Sequence, residues 1–207
     1  MTTHLPPSLP TLILGSSSRY RRQLLERLCI PFTIDSPDID ETALPGEAPI
    51  ALCQRLSLAK AQAVAARHPS GWVIGSDQVA VLGQTIYGKP GTHAKAKRML
   101  KELSGNTLQF HTALCLLNAQ TDDVQMDVVT IEAQFRHLNN AEIEHYLEVE
   151  QPYDCAGSAK SEGLGITLLE RMTGNDPSAL VGLPLISLTR MLRNWGLTLP
   201  LSSQLKS

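Results

Sequence analysis

An acidic side chain interrupts a strongly apolar stretch of this 207-residue chain. The run Trp72-Val73-Ile74-Gly75-Ser76-Asp77-Gln78-Val79-Ala80-Val81-Leu82 otherwise has the composition of a buried strand. Aspartate is a poor strand former, and a carboxylate in apolar surroundings costs free energy unless a cation or hydrogen-bond donors compensate it. Asp77 therefore needs a partner, which a metal ion or a reacting water would supply. Gly75 removes a side chain beside it, so that a ligand or another backbone can come close.

The segments around this run alternate in character. Leu12-Ile13-Leu14-Gly15 reads as a short buried strand, and Ser16-Ser17-Ser18 leads from it into a helical pattern over Arg19–Leu28. Serine caps helix starts, and the free amides of a helix start attract anions. A second strand is expected at Phe32–Ile34, an acidic loop at Asp35–Glu47 and a helix over Pro49–His68. A hairpin with a short return strand follows at Gly83–Tyr87, then a loop Gly88-Lys89-Pro90 and a helix capped by Thr92 and ending at Leu103. Two long antiparallel strands are expected at Thr107–Asn118 and Val124–Leu138, and a helix to Glu150 capped by Asn139 or Asn140. A small polar stretch from Ala156 to Gly165 has the make-up of a cleft wall. A strand at Ile166–Leu169, a helical turn at Asp176-Pro177 and a helix over Pro184–Trp195 complete the pattern. The expectation is an α/β fold, a mixed β-sheet flanked by helices and split by a cleft. One two-lobed domain over residues 11–199 is expected, with flexible termini at 1–10 and 200–207.

Composition narrows the function. A net charge of −2 offers no electrostatic case for nucleic-acid binding, although Arg19-Tyr20-Arg21-Arg22 and Lys95-Ala96-Lys97-Arg98 are local basic clusters. No apolar run approaches a membrane span, and residues 1–7 lack the charged and apolar regions of a signal peptide. The scattered Cys29, Cys53, Cys115 and Cys155 form no CxxC pair, which suits buried, reduced thiols in a cytoplasmic protein. There is no GxGxxG and no GxxxxGK[ST].

The unusual polar residues describe one chemistry when taken together. Ser16, Ser18 and Arg21 sit at a strand-to-helix turn, Asp40-Glu41 in a loop, Lys60 on an apolar helix, Asp77 in the strand and Lys89 in a loop next to proline. Carboxylates suit a hard cation such as magnesium or manganese, and lysine, arginine and a helix start suit a polyphosphate. The set points to metal-assisted attack of water on a phosphoanhydride. Each member alone also has a plain structural role: helix cap, solvated loop acid, or a lysine whose stem covers apolar surface.

The chain resembles the Maf family of nucleoside triphosphate pyrophosphatases. Leu14-Gly15-Ser16-Ser17-Ser18-Arg19-Tyr20-Arg21 is similar to the family's AS-x-S-x-x-R signature, with Gly15 in place of alanine. Asp40-Glu41, Lys60-Ala61, Gly75-Ser76-Asp77, Gly88-Lys89-Pro90, Ser104-Gly105, Ala156-Gly157 and Val181-Gly182-Leu183-Pro184 follow in the family order. The resemblance implies an elongated mixed-sheet fold with two lobes around a substrate cleft, a nucleoside triphosphate substrate cut between its α and β phosphates, and a divalent cation. It is compatible with a homodimer. It implies Asp77 as general base or metal-linked carboxylate, Glu41 at the metal, and Ser16, Ser18, Arg21, Lys60 and Lys89 on the phosphates.

Specificity falls to Tyr20, Gln78 and Glu162. The pyrimidine-hydrolysing branch of the family shows arginine, threonine and glutamine there. The branch acting on 7-methyl-GTP shares Gly75-Ser76-Asp77-Gln78, His137-Leu138, Cys155-Ala156-Gly157-Ser158 and Lys160-Ser161-Glu162-Gly163, with tryptophan more familiar at position 20. A methylated guanine carries positive charge, which an aromatic face attracts by about 1–2 kcal/mol when desolvated. Glu162 can accept from the guanine N1–H and 2-amino group, a donor pair that pyrimidines lack. The expected activity is thus hydrolysis of 7-methyl-GTP, which keeps modified nucleotides out of nucleic acid. The alternatives are a pyrophosphatase for dTTP, UTP or unmodified triphosphates broadly, and a nucleotide-binding regulator of septum formation.

Overall fold

Three strands of unusual length dominate the computed structural model, which describes residues 10–201. Strand β3 (Trp72–Leu82) has 11 residues, β5 (Thr107–Asn118) 12 and β6 (Asp123–Phe135) 13. At about 3.3 Å per residue each approaches or reaches 40 Å, twice an ordinary strand. They form the middle of a seven-stranded sheet with β1 (Leu12–Gly15), β2 (Thr33–Ile34), β4 (Thr85–Tyr87) and β7 (Leu169–Thr173), ordered β2-β1-β3-β5-β6-β7, with β4 on the far end of β3. The β1–β2 and β1–β3 pairs are parallel and all others antiparallel, so the sheet is mixed.

Helices cover the sheet at both ends. Helix α1 (Arg19–Glu26) and α5 (Leu185–Asn194) enclose one apolar cluster with β1, centred on Leu14, Leu25, Ile74, Leu116 and Leu188. Helices α3 (His93–Leu103) and α4 (Asn140–Glu150) enclose another, centred on Leu100, Leu108, Phe110, Phe135 and Leu147. Strands β3 and β5 contribute side chains to both clusters, so the two lobes share one ladder. Helix α2 (Pro49–Ala65) lies across the middle of β3. Expected helix signals recur at the ends: Thr92 caps α3, and Asn139 with Glu142 forms a capping box on α4.

The strand expected at Ile166–Leu169 is displaced. Leu164–Leu168 is a 3-10 helix, and the chain extends only over Leu169–Thr173. The Gly163 and Gly165 amides both donate to the Lys160 carbonyl, and Glu150 accepts from the Leu164 amide. These local bonds curl the segment until pairing with β6 takes over at Leu169. Cys29 is exposed, not buried as expected. Leu201 packs into the α1–α5 cluster, so the packed chain runs past the expected end at 199; residues 1–9 and 202–207 of the expected flexible termini lie outside the described residues. No helix among the described residues is long and apolar enough to cross a membrane.

Candidate active site

The turn from β1 to α1 is organised by its serines. The Ser18 amide donates to Ser16 Oγ at 3.1 Å, and Ser18 caps α1 by accepting from the Arg21 amide. The Arg21 side chain folds back, donating through Nε to the Gly182 carbonyl at 2.8 Å and through a terminal nitrogen to Ser16 Oγ at 3.4 Å. Ser76 Oγ donates to the same Gly182 carbonyl at 2.9 Å. Gly182 holds φ at +109°, and a Cβ there would meet Arg21 Nε at 3.3 Å, so the position suits glycine. One carbonyl thus ties the start of α1, the middle of β3 and the segment after the 3-10 helix Pro177–Val181. Desolvation pulls the Arg21 guanidinium below its ordinary pKa while Asp77 and Glu41 pull it back up.

Asp77 finds its partner on α2. Lys60 Nζ lies 2.6 Å from Asp77 Oδ1 and 2.9 Å from Glu41 Oε1. Lys60 and Asp77 are only 6% and 7% exposed, whereas the Glu41 side chain is 58% exposed on its loop. Gly75 makes this possible. A Cβ there would stand 2.1 Å from the Ser57 carbonyl oxygen and 2.9 Å from the Ala61 amide. The close approach anticipated at Gly75 is therefore that of the α2 backbone, and it brings Lys60 within reach of Asp77. Burial raises the Asp77 pKa, the nearby Glu41 charge adds to the rise, and Lys60 and Arg21 oppose it.

The other end of the cleft is aromatic and acidic. Arg19 lies over the Tyr20 ring, 4.7 Å from its centroid, and donates to the Tyr20 hydroxyl at 2.6 Å. That hydroxyl lies 3.3 Å from Asp154 Oδ2, and Arg19 reaches the same oxygen at 3.5 Å. The Tyr20 face expected to be open to a base thus carries a guanidinium. Cys155 sits beside this group, its thiol pushed up to about 12 by burial and the Asp154 charge, so it adds no charge at neutral pH. Gln78 lines the cleft, but its amide nitrogen donates to Thr112 Oγ1 and the carbonyls of Ala179 and Leu180. It anchors the cleft floor. Glu162 and Lys89 are exposed at the rim.

The ten residues given site roles in the sequence border one cleft of about 550 Å³: Ser16, Ser18, Tyr20, Arg21, Glu41, Lys60, Asp77, Gln78, Lys89 and Glu162. Asp40, the other half of the acidic pair, does not line it and accepts from the Thr42 amide instead. That volume suits a nucleotide-sized ligand. Arg19, Asp154 and Phe110 also line it and were not anticipated. Asp154 closes the segment Gln151-Pro152-Tyr153-Asp154 that follows α4, and a charge directly before Cys155-Ala156-Gly157-Ser158 was the available signal. The Asp77 and Glu41 carboxylates, both against Lys60, are hard oxygen donors that fit a magnesium-type ion completing its shell with phosphate and water. No group of three or more His, Cys, Asp or Glu side chains gathers to hold a metal among the described residues.

A mixed sheet with a cleft joining a buried Lys–Asp pair to an aromatic, acidic mouth describes a nucleotide-handling α/β protein. The family model described as Maf-like protein matches residues 11–195, and the chain belongs to the Maf family. It is similar to the 7-methyl-GTP pyrophosphatase of Cupriavidus metallidurans, with 58% identity over 90% of this chain and 94% of that protein. The proteins of the same name from Bordetella avium and Nitrosococcus oceani are 57% and 54% identical, over 91% and 92% of this chain and 94% and 96% of theirs. Among solved structures, the Staphylococcus aureus Ham1 protein is similar at a TM-score of 0.43 and 14% identity, covering 60% of this chain and 71% of that one.

Proposed function

We propose that the protein hydrolyses 7-methyl-GTP to 7-methyl-GMP and pyrophosphate, clearing a modified nucleotide before it reaches nucleic acid. The observation that carries this is the bipolar cleft. Arg21, Lys60 and the amides opening α1 gather around Asp77, while Tyr20, Asp154 and Glu162 line the same cavity. A triphosphate belongs at the first group and a cationic purine at the second.

The chain's own groups suffice to describe the steps. Arg21, fixed by Gly182 and Ser16, presents its remaining N–H groups to the phosphates, with Lys89 reaching in from the rim. Asp77 orients the attacking water and takes its proton as oxygen bonds to the α-phosphorus. The α–β anhydride bond breaks and pyrophosphate leaves. Lys60, against Asp77, keeps that carboxylate ionised despite burial and offers its charge to the phosphate as negative charge builds there. A divalent cation held by Asp77 and Glu41 would supply further neutralisation of phosphate charge. Glu162 accepts from the guanine N1–H and amino group.

The test is pyrophosphate release from 7-methyl-GTP, GTP, UTP, dTTP and CTP with magnesium or manganese. A kcat/KM preference for 7-methyl-GTP is expected. Preference for UTP or dTTP would overturn the substrate, and absence of turnover on every nucleotide would overturn the activity.

A further inference from the structure

We propose that Arg19 and Asp154, with Tyr20, form a charge-reading device for the nucleobase: in the free protein Arg19 occupies the ring face where a cationic base stacks, and it gives way to that base beside Asp154. The inference rests on the proposed 7-methyl-GTP activity and names residues that select its substrate.

Three observations carry it. The guanidinium is a planar, delocalised cation lying 4.7 Å from the Tyr20 centroid, which is how a methylated guanine would engage the same ring. The contact is built to yield: the Arg19 and Asp154 side chains are 68% and 54% exposed, and their ion pair is long at 3.5 Å. Asp154 has a contact that does not depend on Arg19: its oxygens also lie 3.3 and 3.4 Å from the Tyr20 hydroxyl. Among the described residues Asp154 forms an ion pair with Arg19 alone, and Lys89, on the same cleft, is not within ion-pair distance of it. Lys160, two residues before Glu162, is bound to Glu150, and Arg21 is turned to Gly182.

The exchange is charge-neutral only for a charged base. A cationic base entering the Tyr20 face replaces the Arg19 cation beside Asp154. A neutral base displaces the same cation and puts nothing in its place, leaving the carboxylate uncompensated in a partly desolvated mouth. Discrimination thus arises from what the wrong base fails to restore.

The experiment measures kcat/KM for 7-methyl-GTP and GTP on the intact protein and on Asp154→Asn, Asp154→Glu and Arg19→Gln, each checked for folding by circular dichroism. The ratio for 7-methyl-GTP over GTP should fall about five- to tenfold in Asp154→Asn, the size of one partly desolvated charge contact. The loss should sit in KM, and Asp154→Glu should restore most of it. Arg19→Gln should lower KM for 7-methyl-GTP and also lower the ratio, because GTP no longer has an ion pair to break. An equal rise in KM for both nucleotides in Arg19→Gln would mark Arg19 as a phosphate contact and overturn the proposal. An unchanged ratio in Asp154→Asn, with the parent still preferring 7-methyl-GTP, overturns the device and leaves the activity standing. A parent with no preference between the two overturns both.

Discussion

Replacing Lys60 by methionine removes the cation that Asp77 was folded against, while leaving a side chain of similar length in the same apolar surroundings. Lys60 and Asp77 are 6% and 7% exposed and 2.6 Å apart, so the variant strands a carboxylate inside the protein. Breaking one partner from a buried pair typically costs about 3–5 kcal/mol. Glu41, largely exposed, adds less than about 1 kcal/mol. Arg21 remains close and offsets part of the loss, which places the expected cost near the lower end, about 3 kcal/mol. For a chain of this size that is a fall of about 6–12 °C in Tm. The pH dependence carries the diagnosis. The Asp77 pKa already lies above the ordinary carboxylate value in the folded protein, and without Lys60 it rises further. A carboxyl group with a raised folded pKa binds more protons folded than unfolded, so stability falls as pH rises between the unfolded and folded values. The deficit of Lys60→Met should therefore be small below the ordinary aspartate pKa near 4, where Asp77 is protonated in both states, and grow toward neutral pH. Urea unfolding of the parent, Lys60→Met, Asp77→Asn and the double variant at pH 5 and pH 8 reads this directly, with a coupling near 2 kcal/mol at pH 8. A deficit equal at both pH values, or no coupling in the cycle, would refute the pairing as the reason Lys60 is buried.

Asp77→Asn should retain nucleotide binding by calorimetry while kcat falls by about a thousandfold, the loss of general base and charge together; full activity in this variant contradicts the proposed mechanism. The acid limb of the kcat/KM profile of the parent, which reports the free protein, should lie above the ordinary carboxylate range, because Asp77 must be ionised to accept a proton and its pKa is raised; a limb near pH 4 would show that another group titrates. Gly75→Ala should lower stability by more than about 2 kcal/mol and activity with it, since its Cβ would stand 2.1 Å from the Ser57 oxygen and must push α2 off the strand; a variant that melts with the parent would refute that packing. Asp35, held at about 2 by Arg67 and His68, contributes stability that is present above its unfolded pKa near 4 and lost as pH falls toward 2. Asp35→Asn should flatten that part of the acid unfolding curve, and an unchanged curve would count against the contact.

Much of the architecture was legible because its signals are local. Thr92 and Asn139 announce helix starts, and the apolar runs at 12–15, 72–82 and 107–118 announce strands. The polar cluster was legible because an acid in an apolar strand needs a partner, and Lys60 supplies one at 2.6 Å. What escaped depends on partners distant in sequence. Asp154 meets Arg19 and Tyr20 across 135 and 134 positions, and its local setting, a charge directly before Cys155, names neither partner. Gln78 was read as a base contact, yet its amide nitrogen serves carbonyls some hundred residues away. The strand placed at Ile166–Leu169 was misjudged because hydrophobicity outlines a strand, while the amide bonds to Lys160 that curl the segment leave no mark on composition.

The ladder that β5 and β6 share has a consequence for how a ligand enters. All twelve residues of β5 are paired to β6, and ten consecutive residues of β3 are paired to β5, straight through from one apolar cluster to the other. Two lobes hinged on a loop can close like a jaw; two lobes riveted along one continuous ladder cannot, because closure would shear its hydrogen bonds. The width of the cleft is therefore a standing property of the free protein. Recognition falls to side chains that swing, Arg19 among them, and to the loop that carries Glu41. A compound that spans the cleft between the two apolar clusters meets a width set by that ladder, and only the Tyr20 face, covered by Arg19, has to be cleared for it.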